Sequence, residues 1–167
     1  MNKNLIIICC FFTLILQAQQ EDENAINQVL DSWHRAAATA NFQEYFDKMT
    51  ETSVFVGTDA TEHWDKQEFM EFSKPYFDAG KAWDFTPLER HVFLGPDHNI
   101  AWFDELLDTW MLISRGSGVL VREEGSWKIA HYVLSLAIPN DSVEEVIKLK
   151  KENDSILKSS ILLKQPN

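Results

Sequence analysis

The chain has 167 residues, 45% of them hydrophobic and 12% aromatic, with 11 Phe and 6 Trp. That is enough apolar material for one packed core and little for two. The formal net charge is −11, and the 15 basic residues, outnumbered by 26 acidic ones, gather on no single face, so binding to a nucleic-acid backbone is disfavoured.

Met1-Asn2-Lys3-Asn4 places one positive charge ahead of the apolar run Leu5–Leu16, and Gln17-Ala18-Gln19-Gln20 follows. The run falls short of the ~20 residues that span a bilayer. Charged start, short apolar stretch and small exit residue read as a secretory signal peptide over residues 1–18, cleaved after Ala18. The alternative is a buried N-terminal helix. Export predicts a periplasmic or secreted protein with no membrane attachment after cleavage. Cys9 and Cys10 leave with the signal, so the mature chain has no thiolate zinc site, disulfide or cysteine nucleophile.

Residues Asp22–Ala40 put Ile26, Val29, Leu30, Trp33, Ala36 and Ala37 on one stripe, the spacing of an amphipathic helix. Asn41 with Glu44, and Asp65 with Glu68, read as capping boxes opening two further helices. Pro75 should kink or interrupt the second of these. Val54–Gly57 is a short strand between them. From Trp83 the texture turns to strands at Trp83–Leu94, Ile100–Met111, Arg115–Arg122 and Trp127–Leu136, joined by short turns. Such connections imply an antiparallel meander. Pro87 marks an edge or a bulge in its strand. The expected domain covers residues 19–140. Residues 141–167 form a C-terminal helical extension, which Ser142 and Glu145 open.

Pairing the last two strands through Gly125 sets Leu120 opposite Ile129 and Gly118 opposite His131. A turn centred near Met111–Leu112 sets Glu105 opposite Gly118, with Arg90 on the same face. The predicted result is a row of Arg90, Glu105, Gly118 and His131 on the helix-covered side, where Gly118 leaves room for a ligand. A carboxylate and an imidazole facing one space can act as general base and acid, making Glu105 and His131 the candidate catalytic pair. Arg90 could orient Glu105 or stabilise an oxyanion. The rival reading is a structural Arg90–Glu105–His131 network in a non-catalytic ligand-binding or interaction module. Trp64, Tyr76, Trp83 and Phe103 are candidate pocket residues. Asp59, Glu62 and His63 have no spacing that distinguishes a metal site from a solvated loop, so neither metal nor cofactor is expected. The opposite face, with Trp102, Val119, Val121, Ala130 and Tyr132, is a candidate homodimer interface.

The stretches Gly57–Trp64, Ala101–Leu107, Arg115–Leu120 and Trp127–Tyr132 resemble the nuclear transport factor 2-like superfamily and, within it, the SnoaL-like proteins, over about Asn24 to Asn140. The resemblance implies an α+β fold: a cone-shaped, curved antiparallel sheet covered on one face by N-terminal helices. It also implies a pocket and often a homodimer. That group includes isomerases, dehydratases and cyclases acting by acid–base chemistry, as well as modules that only bind. It therefore points to an apolar or carbonyl-containing small molecule, met by cofactor-free isomerase, lyase or hydrolase chemistry at Glu105 and His131, or simply bound.

Overall fold

A computed structural model describes residues 3–164 of the protein, with side chains from residue 17 onward. Residues up to Leu136 make one compact unit and those from Ala137 a second. The first unit opens with α1 (Lys3–Ala38) and α2 (Phe42–Asp47), then β1 (Met49–Val56), β2 (His63–Asp65) and α3 (Lys66–Asp78). Four strands complete it: β3 (Thr86–Leu94), β4 (Ile100–Thr109), β5 (Leu112–Glu123) and β6 (Ser126–Leu136). In the second unit a single 3-10 turn, Asn140–Ser142, leads into α4 (Val143–Lys164), whose Leu149, Ile156 and Leu163 are exposed. Among the described residues no helix is long and apolar enough to cross a membrane. The side chains of most of the expected signal segment, residues 1–16, lie outside the described residues. The backbone of α1 is helical from Lys3.

Helix α1 buries Ile26, Leu30, Trp33 and Ala37 completely or nearly so, positions that recur at about one turn's spacing on one face. The Asp65–Glu68 capping box forms in full, whereas at Asn41 only the cap half does, because the Asn41 N–H donates to Ala36 O and the Glu44 carboxylate takes the Asn41 side-chain amide instead. Glu68 N–H donates to Asp65 Oδ1 at 2.9 Å while Asp65 N–H donates to Glu68 Oε2 at 3.0 Å, and Asn41 Oδ1 accepts from Glu44 N–H at 3.3 Å. Helix α3 runs without interruption through Pro75, against expectation. The proline lies in the last turn, where its missing N–H forfeits a single bond near the helix end.

The six strands form one open curved sheet in the order β2-β1-β6-β5-β4-β3. Four consecutive strands make the expected meander, but the sheet is mixed, because β1 lies parallel to β6. Strand β1 is longer than the expected Val54–Gly57, and β2 is an additional strand. The start of β1 reads poorly because its pairing breaks between Met49 and Val54, so residues there alternate with no steady face. Pro87 sits on an edge strand and next to a register shift before Glu89. The core between helices and sheet is dominated by rings, with Trp33, Tyr45, Phe69, Phe103 and Tyr132 all nearly inaccessible. Burying each such ring removes 150–250 Å² from water, at roughly 25 cal/mol per Å² of apolar surface.

Candidate functional site

Strand β4 points Glu105 into the covered face, where it is 1% exposed. A buried carboxylate must find partners or lose its charge, and Glu105 finds three. His34 Nε2, on α1, lies 2.8 Å from Oε1. Tyr132 OH, on β6, donates to the same oxygen at 3.2 Å. Arg90 Nε, on the paired strand β3, donates to Oε2 at 2.9 Å. Arg90 Nη1 reaches on to Asp31 Oδ1 at 2.8 Å and Asn27 Oδ1 at 3.1 Å, which ties α1 to the sheet edge. Burial is the largest influence on the Glu105 carboxyl and pushes it up, but His34 and Arg90 together outweigh it and hold the group below the usual carboxylate range. An ionised carboxylate only accepts hydrogen bonds, so His34 Nε2 carries a proton. Burial pushes the Tyr132 hydroxyl well up, and the neighbouring Glu105 charge adds to this.

Arg90 stands directly opposite Glu105, so the expected shared face is correct. His131 is not on it. The pairing of β5 with β6 starts as expected, Arg122 with Trp127 and Leu120 with Ile129, and then shifts, so that Val119 faces His131 and Gly118 faces Tyr132. Ala130 is the extra residue of this β-bulge. A bulge inserts one residue and turns every following side chain to the other face. His131 therefore sits on the outer face beside Val119, and Tyr132, expected outside in the dimer surface, is buried against Glu105.

The glycine next to the carboxylate is also different. The β4–β5 turn centres one residue earlier than expected, so Gly116 faces Glu105 and Gly118 faces Phe103. A Cβ on Gly116 would stand 2.8 Å from Glu105 Oε1 and closer still to Tyr132 OH. Gly116 thus makes room for the Tyr132–Glu105 bond. At Gly118 a Cβ would run into the His131 backbone carbonyl and meet Phe103 at 2.8 Å, so the space there is taken by the neighbouring strand and a core ring and not by a ligand.

A cavity of about 140 Å³ opens between α3, β1, β6 and the β4–β5 turn. Trp64 and Trp83, both expected in a pocket, line it with Phe55, Phe69, Phe72, Phe85, Trp110, Met111 and Leu134. Gly57, Thr58 and Glu62 close the remaining side. Phe103 lies in the core, and Tyr76 is half exposed beside Phe72 rather than lining the cavity. Glu105 does not line the cavity either, but two wall rings touch its partners: Phe85 lies 6.3 Å from His34 and Phe55 5.4 Å from Tyr132. A larger open groove of about 780 Å³, between α1 and the β5–β6 hairpin, is lined by charges of both signs, including Asp31, Arg35 and Lys128, and by Trp127. Among the described residues no group of three potential ligands could hold a metal ion. Asp59 instead accepts from Thr61 N–H at 2.8 Å, and Glu62 from Asp59 N–H at 3.1 Å.

Helices over a curved sheet, with a ring-lined cavity between them, agree with the comparison to known families. Residues 26–139 match the model of the SnoaL-like domain, and the chain belongs to that family within the nuclear transport factor 2-like superfamily. No protein of curated function matches it by sequence. Among solved structures, it is similar to a candidate scytalone dehydratase from Novosphingobium aromaticivorans DSM 12444, with TM-score 0.64 and 8% identity over 74% of this chain and 89% of that one. A candidate dehydratase of the NTF2-like family from Streptomyces avermitilis gives TM-score 0.63 and 11% identity over 72% and 99%. An NTF2-like protein from Pseudomonas putida KT2440 gives 0.61 and 14% over 74% and 92%. At such identities the likeness concerns the fold, and function has to be argued from the site.

Proposed function

We propose that this domain binds a small molecule in the aromatic cavity, and that the His34–Arg90–Glu105–Tyr132 network braces the inner wall of that cavity without reacting with the ligand. One observation carries this reading: Glu105 is 1% exposed, both its oxygens are engaged, and the cavity walls do not include it. A general base needs hydrogen-bond reach to its substrate. The volume suits a compact guest, since an apolar protein cavity of about 150 Å³ accommodates one benzene.

The test is a tryptophan-fluorescence titration with phenol as a neutral aromatic probe. Binding is retained in Glu105→Gln, measured where that variant is folded, and weakened in Trp83→Ala. Unchanged binding in Trp83→Ala, or loss confined to Glu105→Gln, would overturn the reading.

Two further features belong to the same proposal. Phe93 and Trp102 stack at 5.9 Å on the outer sheet face, 45% and 48% exposed. An exposed aromatic pair on a sheet face supports a homodimer through that face. Export with cleavage near Ala18 is supported by Glu21, Asp22 and Glu23, which would then sit in the first turns of α1, where acidic side chains favour the helix dipole.

A further inference from the structure

The cavity has one charged wall group, and it is negative. Glu62 is half-buried there among aromatic rings, and no Lys, Arg or His lines the cavity. Its carboxylate has no ion-pair partner among the described residues. The loop around it is built to hold it in place. Gly57 N–H donates to Glu62 O and Glu62 N–H to Asp59 O, each at 3.0 Å, and Asp59 N–H donates to Glu62 Oε2 at 3.1 Å. A Cβ on Gly57 would run into Glu62 Oε2, so the carboxylate rests against the bare backbone of Gly57 and a side chain there would displace it. Its other oxygen has no hydrogen-bond partner among the described residues.

Aromatic faces carry negative charge density, and several faces around a void attract a cation that has shed its water. Trp64 stacks on Phe72 at 4.5 Å and on Phe69 at 5.6 Å, and Trp83 stacks on Phe69 at 5.6 Å. Rings on several sides and a carboxylate on one side make a negative enclosure. The chain's net charge of −11 raises the local concentration of cations further. Resting on the reading of the cavity as the binding site, we infer that its ligand is a small organic cation, of the alkylated-ammonium class, with the ammonium among Trp64, Phe72 and Trp83 and against Glu62. A neutral guest would gain the burial of the rings and leave Glu62 without a counter-ion.

Choline and its neutral carbon isostere 3,3-dimethyl-1-butanol separate the two. They have nearly the same shape and differ in charge. Calorimetric titration of the full chain should show choline binding at least about tenfold tighter than the isostere, the ratio that a desolvated cation–aromatic contact supplies. Glu62→Gln keeps an acceptor for Asp59 N–H and should weaken choline about tenfold, leaving the isostere unchanged. Gly57→Ala, which displaces the Glu62 carboxylate, should do the same. Equal or tighter binding of the isostere would overturn the cation inference but leave the cavity as a binding site. So would phenol binding with no choline binding. Choline binding that Glu62→Gln does not change would also overturn it.

Discussion

Replacing Glu105 with Gln keeps the size of the side chain and removes its charge. Gln offers one acceptor oxygen and one NH₂ donor. If the NH₂ turns toward Oε2's place it meets Arg90 Nε, and if toward Oε1's place it meets the donors of His34 and Tyr132. No orientation satisfies all three. Breaking a buried ion pair by removing one partner costs roughly 3–5 kcal/mol, because the other charge is left buried. Arg90 keeps Asp31 and Asn27 through Nη1, which places the expected loss at the lower end, about 3 kcal/mol. For a chain of this length that lowers Tm by about 6–12 °C, at roughly 2–4 °C per kcal/mol. Urea unfolding followed by circular dichroism measures it, with a shifted midpoint and an unchanged slope. The double variant Arg90→Met with Glu105→Leu should recover part of the loss, since it leaves neither charge stranded. A Glu105→Gln loss under about 1 kcal/mol would refute the argument, because a surface pair is worth no more than that.

The pH dependence follows with a definite sign. The folded state holds the Glu105 carboxyl below its unfolded value, so its contribution is complete above the ordinary Glu value of about 4.3 and is lost as pH falls through the lowered folded value. Urea midpoints measured from pH 7 down to pH 3 should show this loss in the wild type, and Glu105→Gln should lack that component. Gly116→Ala forces a Cβ against Glu105 and Tyr132 and should cost about 1–3 kcal/mol as overpacking, read by the same unfolding assay. His131→Ala, on the outer face, should leave phenol binding unchanged, whereas His34→Ala removes a Glu105 partner and should destabilise by about 1–3 kcal/mol. Trp102→Asp should convert a dimer to a monomer in sedimentation equilibrium with the fold intact. A monomeric wild type would refute that interface.

The fold was legible because its signals are local and mutually consistent: the stripe Ile26–Leu30–Trp33–Ala37, the Asn41 and Asp65 caps, and four long strands with short turns. The parallel β1–β6 pair was not legible, because nothing local in Met49–Val56 specifies a partner some eighty residues on. At the site, Arg90 and Glu105 came out together because parity survives a shift of two residues in register. His131 did not, because the bulge at Ala130 reverses parity. With the bulge, the Tyr132 ring is buried, in space that Gly116 leaves open on the facing strand. His34 carried a usable signal. It lies four residues after Leu30 and three before Ala37, so its imidazole falls within the buried stripe and needs a partner there. The Trp64 and Trp83 pocket was visible as aromatic content, but Glu62 read as a solvated loop, because its seat on Gly57 exists only once the loop closes.

The tryptophans provide the most direct test of the central claim. Trp64, Trp83 and Trp110 line the cavity, while Trp33 lies in the core, Trp102 on the outer face and Trp127 at the polar groove. In a ¹H–¹⁵N spectrum of the six indole groups titrated with phenol, the account predicts large saturable shifts at Trp64, Trp83 and Trp110 and small ones elsewhere. Shifts led by Trp127 or Trp102, with the three cavity indoles unmoved, would contradict it.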